Sequence, residues 1–122
     1  LTALDHLQAR QLMVVSAHAS GKSMERLDLV LSPALAEDPP RIGTLTFAAN
    51  GNDLGRWAER GYAFAPFATP ANLAGQPSAV LPMDSTAQGL PVAVQITGRA
   101  GNDALVLRAS QLLEALHSKS EA

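Results

Sequence analysis

The sequence has 122 residues, no cysteine and a formal net charge of -2, and its 47% of apolar residues can build the core of about one domain. Only 9 lysines and arginines are present, scattered among acidic residues, so the sequence lacks the basic surface that binding to nucleic acid requires. The absence of cysteine excludes disulfide bonds and thiolate metal sites, and no apolar run approaches the ~20 residues that span a membrane.

The first predicted element is a helix from Ala3 to about residue 18, continuing to Gly21 or a little past it. Thr2 and Asp5, three residues apart, form a capping-box pattern at its start. Good helix formers with an approximate period of 3.6 residues follow. Because the helix starts at once, we expect the sequence to open inside a longer protein.

A short apolar run at residues 27–31, closed by Pro33, predicts a strand buried on both faces. Two successive prolines at residues 39–40 then require a loop. From there to about Gln76 we predict a mostly irregular stretch with one short helix around residues 53–60. An irregular stretch of this length is commonly functional in a compact domain.

Two further strands, at residues 77–82 and 90–98, are predicted to form a β-hairpin around a turn at residues 86–89. In the second strand Val92 and Ile96 alternate with smaller or polar residues. This period of two indicates one predominantly apolar face.

The last predicted element is a helix capped by Asn102 or Asp103. Its apolar residues recur at helical spacing and predict a stripe that faces a core. The residues of this stripe are Leu105, Ala109, Leu112, Leu113 and Leu116. Two or three short strands cannot cover themselves, so we predict an α/β segment that completes a larger domain.

Three patterns that resemble functional motifs have simpler structural explanations. Gly21-Lys22-Ser23 lacks the glycine that a phosphate-binding loop has five positions earlier, where Ser16 stands. Nothing around Ser20 desolvates Lys22, as a serine–lysine catalytic pair would require. The three histidines lack the spacing typical of metal ligands. We therefore assign no catalytic residue and no metal ligand, predict no cofactor, and expect a soluble cytoplasmic protein.

Aromatic residues cluster in the irregular stretch. Four of them fall within eleven consecutive positions of this stretch, and they are Trp57, Tyr62, Phe64 and Phe67. Uniform core packing does not produce such clustering. These side chains either anchor a long loop to the domain or wall an apolar pocket, and the sequence leaves both interpretations open.

Two stretches carry a resemblance to a known family. Residues 66–77 read Pro-Phe-Ala-Thr-Pro-Ala-Asn-Leu-Ala-Gly-Gln-Pro, and residues 89–99 read Gly-Leu-Pro-Val-Ala-Val-Gln-Ile-Thr-Gly-Arg. Together they resemble the C-terminal segment of the amidase signature family. Residues 28–35 and 39–43 are similar to the family segment in which a buried strand ends at a proline. The resemblance covers essentially all of the chain.

The resemblance implies an α/β/α sandwich around a mixed sheet, of which residues 1–122 would be the C-terminal segment and incomplete as a domain. It also implies amide hydrolysis by a nucleophilic serine, a second serine and a lysine. In the family these residues lie N-terminal to the segment that this chain resembles, and the chain has no Gly/Ser-rich signature. The implied partners are the N-terminal catalytic part of the same enzyme and a small-molecule amide. A homodimer is a further option that the sequence neither requires nor excludes.

The resemblance places part of the substrate pocket at the aromatic stretch, with Trp57, Phe64 and Phe67 as expected binding residues. A structural loop is expected to contain Thr69, Asn72, Gly75 and Pro77, in which the glycine and proline allow close approach and a fixed φ. Asn72 is expected to act as a backbone tether.

One departure bears on the substrate. Glutamine-dependent transamidase subunits of the family carry an acidic residue shortly before this loop, whereas residues 63–66 here are Ala-Phe-Ala-Pro. An apolar stretch at that position favours a less polar amide than glutamine. A transamidase A-type subunit and a non-catalytic interaction module are the alternatives.

Overall fold

The computed structural model describes residues 1–120. In that range the chain forms helices and one three-stranded sheet, with short 3₁₀ turns at Met24–Arg26 and Ala48–Asn50. The helices are α1 (Ala3–Ser23), α2 (Leu54–Phe64), α3 (Ala68–Ala74) and α4 (Asp103–Ser120), and the strands are β1 (Leu29–Pro33), β2 (Ser78–Ser85) and β3 (Pro91–Gly98).

β3 is the central strand, and it pairs antiparallel with β1 on one side and with β2 on the other. Ile96 lies opposite Leu31 and Ala79 and is fully buried. Successive side chains of a strand point to opposite faces, and Gln95 and Thr97 are buried as well. β3 is therefore covered on both faces, although its sequence pattern predicts one predominantly apolar face.

β1 differs from the predicted strand in position and in burial. It begins at Leu29 and lies at an edge of the three-stranded sheet. The side chain of Leu31 is 59% exposed. An apolar run indicates that a strand contacts a core, but it does not specify whether one or both faces of the strand are covered. The prediction of burial on both faces was wrong for β1 within the described residues.

Helices cover the two faces of the sheet. α4 contacts β2 and β3, and a Cβ added to Gly98 would lie 2.7 Å from Cγ2 of Val106, so glycine permits this close approach. α3 packs against α1, and Met24 and Ala71 are buried where these helices meet the other face of the sheet. The described residues thus form helix, sheet and helix layers around a small antiparallel sheet.

The β-hairpin is confirmed. β2 and β3 pair in register through residues 78–97, with an irregularity between Pro82 and Asp84. The connecting turn closes with a hydrogen bond from the Gly89 N–H to the Thr86 carbonyl oxygen at 2.8 Å. Gly89 has a φ of +77°, which favours glycine at this position.

The predicted loop over residues 69–77 is a helix in its first part. Thr69 and Asn72 belong to α3, which tolerates Pro70 because the first helical turn needs few backbone donors. Gly75 ends the helix in a left-handed conformation with a φ of +61°. The loop prediction was wrong for these positions, since proline and glycine here mark the two ends of a short helix. Pro77 directly precedes β2.

α4 begins at Asp103, and Leu105, Ala109 and Leu113 of the predicted stripe are half-buried. Val106 and Ser110 are buried, whereas Leu112 and Leu116 are more than half exposed. Ser110 is accommodated because its Oγ donates to the Val106 carbonyl oxygen at 2.8 Å. The stripe prediction was wrong for the two leucines, because apolar residues on several sides of this helix fit more than one face.

α1 begins with the predicted capping box. The Thr2 Oγ1 accepts the Asp5 N–H at 3.2 Å, and the Asp5 carboxylate accepts the Thr2 N–H at 2.6 Å. These hydrogen bonds with Thr2 hold the pKa of the Asp5 carboxyl below its ordinary value. No residue of α1 is buried. Within residues 1–120, no helix has both the length and the apolar character needed to cross a bilayer.

Candidate functional site

An apolar groove with a volume of about 470 Å³ lies along α2. Trp57, Ala58, Gly61 and Tyr62 contribute one face of the helix, since residues three or four apart are neighbours on a helix surface. Ala58 and Gly61 occupy little volume, which leaves space on this face. The remaining lining residues are Leu45, Ala65, Ala68 and Thr69. We call this feature the apolar groove.

Hydrogen bonds at both ends fix the position of α2. The Asp53 carboxylate caps the start of the helix by accepting the Arg56 N–H at 2.9 Å. Near the other end, the Phe64 carbonyl oxygen accepts the Ala36 N–H at 3.0 Å. The second bond ties α2 to the chain that leaves β1, so the groove has a defined place relative to the sheet.

The segment of residues 44–50 lies against the groove. Its Leu45 carbonyl oxygen accepts the indole N–H of Trp57 at 3.0 Å. The ring of Phe47 meets that of Trp57 edge to face, with centroids 6.3 Å apart and an interplanar angle of 81°. Asn50 Nδ2 donates to the Thr46 carbonyl oxygen at 2.8 Å, which closes the segment on itself. Trp57 therefore joins this segment to α2.

The structure separates the three expected binding residues. Trp57 lines the apolar groove, whereas Phe67 lines a second cavity on the other side of α3. Phe64 lines neither of the two cavities. Tyr62 joins Trp57 in the groove, and Trp57 also links residues 44–50 to α2. Sequence reasoning missed Leu45, whose role depends on a hydrogen bond between residues distant along the chain.

The second cavity has a volume of about 250 Å³ and lies between α1, α3 and the sheet. Its polar side chains are all neutral, and we call it the polar cleft. The polar residues are Ser20, Ser23, Ser32, Gln76, Gln95 and Thr97, and the apolar ones are Met24, Val30, Pro66, Phe67, Pro70 and Ala71.

Most polar groups of the cleft have partners within the chain. The buried Gln95 Nε2 donates to the Phe67 carbonyl oxygen at 3.1 Å and to the Thr97 Oγ1 at 3.0 Å. The hydroxyls of Thr97 and Ser78 lie 2.9 Å apart. This network joins the residue before α3 to two strands, so its role is to hold the helix on the sheet.

Gln76 is the exception among the described residues. Its Oε1 accepts a long hydrogen bond of 3.4 Å from Ser20 Oγ, while its Nε2 is buried without a hydrogen-bond partner. A buried amide donor without an acceptor costs free energy. The polar cleft therefore has one donor that an acceptor from elsewhere would satisfy.

The serines of the polar cleft that lie near Lys22 in sequence have hydrogen-bond acceptors within the chain. Ser20 Oγ donates to Gln76 and Ser23 Oγ donates to the Ser20 carbonyl oxygen, while Lys22 is exposed. Within the described part of the chain, no group of three or more His, Asp or Glu side chains could hold a metal ion. The linings of the two cavities offer apolar contacts and neutral hydrogen-bonding groups.

Comparison with known proteins decides the family. The family model described as Amidase matches residues 2–107. The chain belongs to the amidase family. The fatty acid amide hydrolase of Medicago truncatula is 28% identical over 120 residues, covering 98% of this chain and 19% of that protein. The 6-aminohexanoate-cyclic-dimer hydrolase of Paenarthrobacter ureafaciens is 34% identical over 91 residues, covering 71% of this chain and 18% of that protein.

The structural comparison agrees with the amidase assignment. A solved structure of a 6-aminohexanoate cyclic dimer hydrolase complexed with substrate superposes with a TM-score of 0.79 and 28% sequence identity. The match covers 94% of this chain and 25% of that chain. This chain spans about a fifth of the length of the curated relatives it matches. The predicted family and the α/β fold class are thus confirmed.

Proposed function

We propose that this chain is the C-terminal part of an enzyme that hydrolyses a carboxylic amide, and that the apolar groove binds the apolar portion of that substrate. The observation that carries the proposal is the groove on α2, in a chain that belongs to the amidase family over residues 2–107. A concave apolar surface with few polar groups suits a small organic ligand.

In this proposal the bond-breaking groups come from the N-terminal part of the enzyme. A serine attacks the amide carbonyl, with a second serine and a lysine moving the proton to the leaving amine, and water then releases the acid from the acyl-enzyme. This chain supplies the wall that orients the substrate. Ser20 and Ser23 in the polar cleft donate hydrogen bonds within the chain.

Exposed apolar residues on α1 support packing of this chain against an N-terminal catalytic part. Leu4, Leu7, Leu12, Val14 and Val15 on α1 are each more than half exposed. A monomeric surface rarely carries so many large apolar side chains together, and such surfaces mark interaction sites. The N-terminal catalytic part of the same enzyme is the partner that would bury them.

The composition of the groove supports a less polar substrate than glutamine. No charged side chain lines it, and its walls are aromatic, aliphatic or small except for the hydroxyls of Tyr62 and Thr69. An α-amino acid substrate carries two charges that would be costly to bury there. The groove therefore favours an amide with an aliphatic or aromatic portion.

The test uses the full-length enzyme that contains this segment. Hydrolysis of decanoyl and acetyl p-nitroanilides is followed, together with glutamine as a competing substrate. We expect both anilides to be cleaved, with preference for decanoyl. Glutamine turnover without anilide cleavage would support the transamidase alternative, and loss of all amide hydrolysis would support a non-catalytic module.

Trp57→Ala tests whether the groove binds substrate. We expect kcat/KM for the decanoyl anilide to fall about 10-fold, because a lost apolar contact weakens binding of the group that fills it. The matched control is Leu54→Ala, since Leu54 is exposed on the same helix and does not line the groove. Equal effects of both variants on the two substrates would contradict the assignment.

A further inference from the structure

One groove residue lies on a different element from the rest. Leu45 belongs to the segment of residues 44–50, which precedes α2, whereas the other lining residues lie on α2, on α3 or between them. Leu45 is half-buried and contributes the largest aliphatic side chain of the lining. Its position therefore depends on how this segment is held.

Trp57 holds the segment through two contacts. The indole N–H donates to the backbone oxygen of Leu45 itself, at 3.0 Å, and the ring contacts Phe47 edge to face. The hydrogen bond acts on the residue whose side chain lines the groove. This bond links the backbone of Leu45 to α2.

The segment is otherwise held by local hydrogen bonds. Thr46 Oγ1 donates to the Gly43 carbonyl oxygen at 2.8 Å and accepts the Ala49 N–H at 3.2 Å. Asn50 Nδ2 donates back to Thr46. These bonds shape the segment without joining it to α2. Backbone bonds from Asn52 to Phe47 and from Asp53 to Asn50 join it to the chain that enters α2, and Trp57 supplies the contacts from the helix itself.

We infer that Leu45 determines which amides the groove accepts, and that the Trp57 indole N–H is the group that positions it. This inference rests on the proposed function. The leucine side chain limits the groove at the border with residues 44–50, so the length of the apolar portion that fits depends on it. Leu45 is a specificity-determining residue, and Trp57 is both a wall of the groove and a positioning residue.

The test measures selectivity in the full-length enzyme. The ratio of kcat/KM for decanoyl and acetyl p-nitroanilide is determined for Leu45→Ala and Leu45→Phe. We expect Leu45→Ala to raise this ratio about 10-fold through a lower KM for the longer amide, and Leu45→Phe to lower it. The control is Ile42→Ala, because Ile42 is fully exposed nearby and does not line the groove.

Trp57→Phe tests the positioning role separately. Phenylalanine keeps an aromatic wall and a contact for Phe47 but has no N–H to donate to Leu45. We expect the ratio to change in the same direction as for Leu45→Ala, because Leu45 is then no longer held by the indole N–H. Calorimetry on each variant identifies those that retain the fold, and Leu45→Met replaces Leu45→Phe if the latter fails to fold.

The outcomes distinguish this inference from the proposed function. Parental selectivity in folded, active variants of Leu45 would overturn the inference and leave amide hydrolysis intact. A shift for Leu45→Ala without one for Trp57→Phe would overturn the positioning role of the indole. Failure of the parent enzyme to cleave either anilide would instead overturn the proposed function.

Discussion

The apolar groove and the polar cleft adjoin the same short helix, α3, but their linings differ in polarity and in how many hydrogen bonds they make within the protein. Ala68 and Thr69 line the groove, whereas Pro70 and Ala71 line the cleft. The groove presents mostly carbon and needs few partners, so a ligand can occupy it without displacing protein hydrogen bonds. In the cleft, the side chain of Gln95 donates a hydrogen bond to the backbone of Phe67. The polar side chains that line the cleft therefore stabilise the fold.

The sheet carries both regions, so damage at its centre should affect both. Ile96→Ala removes a fully buried side chain from the central strand and should lower the free energy of unfolding by about 2 to 5 kcal/mol. Urea denaturation of the full-length enzyme measures the loss. A change below about 1 kcal/mol would mean that the surrounding residues collapse into the space.

The structural role of the polar cleft predicts the next largest effect. Gln95→Leu leaves the Phe67 carbonyl oxygen and the Thr97 hydroxyl without their amide donor, and it should lower stability by about 1 to 3 kcal/mol. The ratio of activities on decanoyl and acetyl anilides should stay unchanged, as measured alongside thermal unfolding. A changed ratio with unchanged stability would place the cleft in the substrate site.

Gln76→Leu is the matched control for Gln95→Leu. The Gln76 Nε2 is buried without a partner in the described residues, and its Oε1 accepts a long bond of 3.4 Å from Ser20 Oγ, so Gln76→Leu should change stability by less than about 0.5 kcal/mol. A loss of more than about 1 kcal/mol in the full-length enzyme would indicate that an acceptor outside this segment pairs with it.

Tyr62→Ala should have the opposite profile. The side chain is 60% exposed in this chain and lines the apolar groove, so stability should change by about 0.5 kcal/mol or less. Activity on the decanoyl anilide should fall about 10-fold relative to the acetyl anilide. Steady-state kinetics check this. A stability loss without a change in selectivity would mean that Tyr62 stabilises the fold around α2 and does not contact the substrate.

The smallest effect concerns the start of α1, which lines neither cavity. The pKa of the Asp5 carboxyl is held below 3.8 by its hydrogen bonds with Thr2. Its contribution to stability is therefore present above the unfolded pKa and is lost as the pH falls through the folded pKa. In an NMR titration with labelled aspartate, Thr2→Ala should raise the Asp5 pKa. An unchanged pKa in that variant would contradict the capping assignment.

Local signals predicted much of the fold. The hairpin, the start of α1 and the existence of α2 follow from patterns within a few residues, such as the pairing of Thr2 with Asp5. α3 was missed because Pro70 and Gly75 were interpreted as loop residues, although a glycine can equally end a helix. Leu112 and Leu116 were assigned to the buried face of α4 incorrectly, because apolar spacing alone does not distinguish the face toward this sheet from an adjacent one.

The sequence by itself determined the capped helix starts, the hairpin turn at Gly89 and the family, because each depends on residues close together in the chain. Only the tertiary structure decided that Leu45 meets Trp57, that Gln95 supports α3 through Phe67, and that the aromatic cluster divides between two cavities. These relations join residues distant in sequence. They depend on the path of the chain around the sheet, which no local pattern specifies.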